Sequence, residues 1–104
     1  MSGTFDTSVR SYRFYTRNAP QITANFADCK LVFIDAGDGK TNFISQGVII
    51  ANDHGANEIQ FSFDGVTPEG DLLPGESMNF FGFRRKVVYL KGSVAHEPYR
   101  VWAW

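Results

Sequence analysis

Apolar and polar positions alternate with a period of two along most of the chain, the spacing of a half-buried β-strand, and no stretch of useful length repeats at helical spacing. The cleanest run covers residues 58–64, where Ile59, Phe61 and Phe63 alternate with Glu58, Gln60 and Ser62. Residues 9–16 predict the first strand, with Tyr12 and Phe14 on one face and Arg13 and Tyr15 on the other, ended by Asn18-Ala19-Pro20. Residues 21–26 allow a short extended piece. The dense apolar run 30–35 then stops at Ala36-Gly37-Asp38-Gly39, whose Asp-Gly pair is a strong hairpin signal. Residues 41–51 predict the next strand, with Gly47 in its middle marking a bulge or a close backbone approach. After turn chemistry at 52–57 come the 58–64 strand, a short Leu72-Leu73 pair between two turns, and residues 78–83. Residues 84–91 place Val88 and Leu90 on one face and Val87 and Tyr89 on the other, and residues 99–104 form the last strand.

Seven or eight short strands at regular spacing predict an all-β fold, an antiparallel β-sandwich or a jelly-roll-like small barrel. Residues 1–8 are small and polar apart from Phe5, which predicts a flexible N-terminal arm ahead of one domain over 9–104. Composition agrees. The 104 residues suit a single core, and ten Phe, four Tyr and two Trp beside ten Gly and four Pro are the make-up of a β protein with tight turns.

Charge narrows the partners. Lys and Arg number 10 against 11 Asp and Glu, and neither end carries a charged tail, which argues against a protein held to nucleic acid by phosphate neutralisation. The one basic cluster, Arg84-Arg85-Lys86, is divided between two faces by strand alternation. Phe80, Phe81 and Phe83 nearby are of the stacking type used on single strands, yet nucleic acid is not the expected partner. The apolar stretches 31–34 and 48–51 are too short to span a bilayer, and the first residues lack the apolar run of a signal peptide. A soluble protein made in a cytoplasm, with no membrane partner, is the expectation.

Candidate chemistry is sparse. Cys29 is the single cysteine, which excludes an intramolecular disulfide and zinc sites needing two thiolates, and it reads as a small buried hydrophobe. Gly39-Lys40-Thr41 ends like a phosphate-binding loop, but Ile34 stands where the first glycine belongs and no helix follows. Asp35 and Asp38 lack the further acidic ligand of a calcium loop and read as turn residues. His54 and His96 are isolated loop histidines, and Gly75-Glu76-Ser77 fails as a nucleophile elbow because Asn79 replaces glycine. No catalytic, cofactor-binding or metal-ligating residue is therefore assigned, and no enzyme is expected.

Assembly is the stronger theme. The last strand is apolar on both faces, with Tyr99, Val101 and Ala103 on one side and Trp102 and Trp104 on the other. The tryptophans read as a lid over the core or as an intermolecular contact. The first strand interleaves Arg10, Arg13 and Arg17 with Tyr12, Phe14 and Tyr15, either an interface composition or an edge protected by charge. The interface candidates are Arg13, Tyr15, Arg17, Trp102 and Trp104.

The train Glu58-Ile-Gln-Phe-Ser-Phe-Asp-Gly65, Gly70-Asp-Leu-Leu-Pro-Gly-Glu-Ser77, Arg85-Lys-Val-Val-Tyr-Leu-Lys-Gly92 and Tyr99-Arg-Val-Trp-Ala-Trp104 resembles the small all-β virion proteins of tailed bacteriophages. The likeness covers residues 48–104. It implies a virion structural protein of the capsid decoration (cement) type, bound to the major capsid protein or other virion proteins and assembled in the host cytoplasm. The same likeness extends to small neck and tail components, and the alternative reading is a small tail, neck or receptor-binding component contacting host glycan through aromatic residues. Such lattices imply self-association as dimers or trimers. The family pattern carries no catalytic residues.

Overall fold

Eight strands form among the residues that the computed structural model describes, 12–82, 84–93 and 98–104. They are β1 (Phe14–Arg17), β2 (Lys30–Val32), β3 (Gly47–Asn52), β4 (Ile59–Ser62), β5 (Gly70–Leu72), β6 (Ser77–Phe81), β7 (Val87–Gly92) and β8 (Tyr99–Ala103). The first four pair with the last four in reverse order, β1 with β8, β2 with β7, β3 with β6 and β4 with β5, every pair antiparallel. The chain thus behaves as one long two-stranded ribbon. Rolling the ribbon adds the contacts of β3 with β8 and β4 with β7, which produces two four-stranded sheets, β1-β8-β3-β6 and β2-β7-β4-β5. That strand order is a jelly roll, so the expected all-β sandwich is what the chain forms.

The alternation along each strand decides which side chains meet between the sheets. Val48 and Ile50 of β3 and Tyr99, Val101 and Ala103 of β8 point inward from one sheet. Leu31, Ile59, Phe61, Leu72, Val88 and Leu90 point inward from the other, and Ile22, Phe33, Phe43 and Cys29 close the ends. Full burial stabilises each large aliphatic or aromatic side chain by roughly 1.5–3 kcal/mol relative to exposure. The faces predicted for residues 84–91 and 99–104 are those observed.

Three segments differ from the sequence reading, each for a local reason. Residues 21–25 join no ladder, because the Asn25 N–H bonds the Thr23 hydroxyl (3.1 Å) and that hydroxyl donates to Asp28 (2.7 Å), which turns the chain into a single 3₁₀ turn, Phe26–Asp28. The strands expected over 30–35 and 41–51 shorten to β2 and β3, since these lie in different sheets and residues 33–46 must cross between them. Only an Ile34–Asn42 bridge remains of the hairpin, closed by Gly39 at φ +68° and by the Asp38 carboxylate accepting from the Lys40 and Thr41 N–H groups (2.8 and 3.0 Å). In the first strand the regular ladder starts at Phe14, so Tyr12 does not share its face: Phe14 packs inward on Phe33 while Tyr12 is exposed beside Tyr15. The arm expected over 1–8 and the start of that strand at 9–11 lie outside the described residues.

Two buried polar anchors hold the ends. Asn52, at the end of β3, donates to the carbonyls of Asn57 and Leu72 (both 2.9 Å) and accepts from the His54 N–H (3.0 Å), tying one sheet to β5 of the other. Tyr99 accepts nothing from solvent: its hydroxyl donates to the Pro20 carbonyl and receives the Cys29 thiol at 3.7 Å, while its N–H bonds the Asn18 side chain (2.7 Å). Burial pushes the Tyr99 phenol far up, with the neighbouring Cys29 adding to it, and burial likewise raises the Cys29 thiol. Cys29 is thus the small buried group its surroundings in the sequence suggested.

Candidate interaction face

Side chains that point away from the core on β1, β8, β3 and β6 share one outer sheet face, and the registers set them in rows. Tyr15 lies opposite Trp102, Trp102 opposite Ile49, and Ile49 opposite Asn79. A second row runs from Arg17 through Arg100 and Ala51 to Ser77. Aromatic contacts run across the face. Tyr15 sits 5.5 Å from Trp102 and 5.7 Å from Tyr12, and Trp104 lies 5.7 Å from Phe81 at the far corner. These ring separations are those of stabilising aromatic pairs.

Arg100 is held in place by its neighbours. Arg100 grips both carboxylate oxygens of Asp53 (2.6 and 2.8 Å), and its guanidinium lies 5.0 Å over the Trp102 ring. The Asp53 hydrogen bond also holds the Arg100 proton more firmly than usual. Between Arg100, Trp102, Ile49, Ala51, Ser77 and Asn79 runs an open groove of about 250 Å³.

Four of the five interface candidates, Tyr15, Arg17, Trp102 and Trp104, therefore lie on this sheet face or its rim. Arg13 does not join them. It turns to Asp35, donating through Nε (3.2 Å) and Nη2 (2.8 Å), and stacks 4.3 Å over Phe43. Trp104 covers the backbone of β3 at Gly47 from outside, rather than the core. Sequence reading omitted Arg100, Ile49 and Phe81 from the face. Period-two alternation with Trp102 and Trp104 already implied Arg100, whereas Ile49 and Phe81 depend on cross-strand register.

Elsewhere the candidate chemistry resolves into structure. Asp35 is lowered by its Arg13 hydrogen bonds and also caps the Gly37 N–H. The Asp64 carboxyl is drawn down to about 2 by the N–H groups of Val66 and Thr67 and by the Ser62 hydroxyl, and Asp38 reaches about 2 through the Thr41 hydroxyl and the Thr41 and Lys40 N–H groups. His54 Nδ1 accepts the Ala56 and Asn57 N–H groups at 2.9 Å each, a turn-capping role, and His96 lies outside the described residues. Phe80 packs edge-on with Phe61 and Phe63 (5.4 and 5.6 Å), and Arg85 stacks 5.2 Å over Phe63. The stacking role weighed for Phe80 is thereby taken by the core edge. Among the described residues no three His, Cys, Asp or Glu side chains converge on a point, and no helix is long and apolar enough to cross a membrane. No protein-family model matches the chain, and no curated protein matches it in sequence.

Proposed function

We propose that the chain is a non-enzymatic structural protein of a bacteriophage virion, a capsid decoration protein that binds and stabilises the shell lattice. The observation that carries this reading is the outer face of the β1-β8-β3-β6 sheet, where Tyr12, Tyr15, Ile49, Trp102, Trp104 and Phe81 are presented together with Arg100. Aromatic and Arg side chains are the groups that dominate binding energy at protein interfaces. They stand on paired strands rather than on loops, so little freedom is lost when the face docks. The resemblance of residues 48–104 to phage virion proteins supports the same reading.

The mechanism is mechanical. A domain that spans adjacent major capsid protein subunits buries surface across their seam, and every occupied site shifts the assembled shell away from dissociation by mass action. The partners are then the major capsid protein and further copies of this chain, in a particle assembled in the host cytoplasm. A second reading, a small tail, neck or receptor-binding component contacting host glycan, draws support from the groove beside Trp102, where Arg100, Asn79 and Ser77 supply polar groups around an indole.

Quantitative mass spectrometry of purified particles, referenced to the major shell protein, tests both. One copy per shell subunit, or a simple fraction of one, is the result expected of a decoration protein. A ratio of a few per cent assigns the chain to the neck or tail, and absence from the particle overturns the virion reading.

A further inference from the structure

Among the described residues each sheet ends in two unpaired edges, and three of the four are blunted. β1 carries Arg17, while β2 and β5 are only three residues long and include Lys30 and Asp71. The fourth edge, β6, has none of these protections: its five residues, Ser77-Met78-Asn79-Phe80-Phe81, contain no charge and no proline. Its exposed apolar surface is substantial, with Phe81 73% and Met78 37% accessible.

Hydrogen-bond parity shows what this edge offers. Gly47 exchanges backbone bonds with Trp104, so the odd-numbered residues of β3 bond to β8 and the even-numbered ones face β6. The register sets Ile50 opposite Met78 and Val48 opposite Phe80, which directs Met78 and Phe80 at β3 and leaves the N–H and C=O groups of Ser77, Asn79 and Phe81 aimed outward.

We infer that β6 pairs with β6 of a second copy of this chain, antiparallel about a two-fold axis through Asn79. In that register Asn79 meets its own counterpart, and Ser77 meets Phe81 of the other copy. All three are residues whose backbone groups point outward, so each pair can exchange both bonds. Charge favours this direction. Glu76 precedes the strand and Arg84 follows it, so antiparallel pairing brings the acidic end of one strand toward the basic end of the other, whereas parallel pairing would bring like charges together. The two sheets become one of eight strands, and the Tyr15–Trp102–Ile49–Asn79 row continues across the axis. This inference stands apart from the particle reading and holds for the isolated chain.

Sedimentation equilibrium across a concentration series, with amide hydrogen exchange, tests it. The full chain should sediment at twice the monomer mass, with the amides of Ser77, Asn79 and Phe81 protected at high concentration and exposed on dilution. Asn79→Lys sets two ammonium groups face to face at the axis and should raise the dissociation constant at least tenfold without altering the circular dichroism. Ser77→Lys, at the strand end, is the second variant should the first fail to fold. A monomer at all concentrations overturns the inference. So does a trimer, or a dimer that both variants leave intact.

Discussion

The indole of Trp104 fills the space that a Cβ on Gly47 would need, with ring carbons at 2.2, 2.5 and 2.8 Å from that point. Both the Gln46 and Gly47 N–H groups also donate to the Trp104 carbonyl, so the backbone of β3 and the last residue are locked twice. The glycine expected to mark a bulge or close approach thus accommodates a ring. Gly47→Ala should drive the indole off the sheet, destabilise the protein by about 1–3 kcal/mol as overpacking does, and red-shift tryptophan emission. In a Trp104→Ala background the same change should cost almost nothing. A double-mutant cycle by urea denaturation with fluorescence measures this, and equal costs in both backgrounds would refute the contact.

Tyr99 predicts an alkaline limit to stability. The folded phenol keeps its proton to a higher pH than the same phenol in the unfolded chain, because it is buried and donates to the Pro20 carbonyl. Its contribution is therefore whole below about pH 10, the ordinary phenol value, and declines as pH rises beyond it. Absorbance at 295 nm should show one phenol ionising only as near-ultraviolet dichroism is lost. Tyr99→Phe should remove that late component and cost about 1–2 kcal/mol at neutral pH, since the Pro20 carbonyl is left with only the weak Cys29 thiol donor at 3.5 Å.

Acid acts through the turn carboxylates in the opposite sense. Asp64 and Asp38 are held at about 2 against an ordinary 3.8, so each stabilises the fold above pH 3.8 and loses that contribution as pH falls toward 2. Asp64→Ala should lower the melting temperature at pH 7, because Val66 and Thr67 lose their acceptor. The gap to wild type should narrow steadily between pH 4 and pH 2. A gap independent of pH over that range would mean that the carboxylate charge contributes nothing.

Much of this architecture was legible from alternation alone. Residues 58–64, 84–91 and 99–104 have inward and outward faces that can be read one strand at a time, and Asp38-Gly39 announces its turn by chemistry. What could not be read is anything that depends on two distant segments meeting. Arg13 looks like a partner of Tyr15 until Asp35 and Phe43, brought beside it by the crossover between sheets, take its guanidinium. Tyr12 leaves the face of Phe14 because the ladder begins at Phe14, two residues after Tyr12. Asn52 looks like an ordinary turn residue, and only the arrival of Leu72 makes it a bridge between sheets. The interaction face has the same character: its tryptophans are visible in the sequence, but its rows are a property of register.

The contrast between Trp102 and Arg13 offers the sharpest test of that face. Trp102 points outward between Tyr15 and Arg100, so Trp102→Ala removes a cross-strand aromatic pair worth about 0.2–1 kcal/mol and should lower the melting temperature only slightly. If the face docks on a shell, the same change removes an anchor, and anchors of this kind cost about 2 kcal/mol or more, at least a thirtyfold loss of affinity. Arg13→Ala should do the reverse, because its guanidinium is committed to Asp35 and Phe43 within its own chain. Its melting temperature should fall while binding holds. Co-sedimentation of both variants with purified shells separates the cases: binding lost by Arg13→Ala and kept by Trp102→Ala would move the docking surface off this sheet and onto the β1–β2 side of the sandwich.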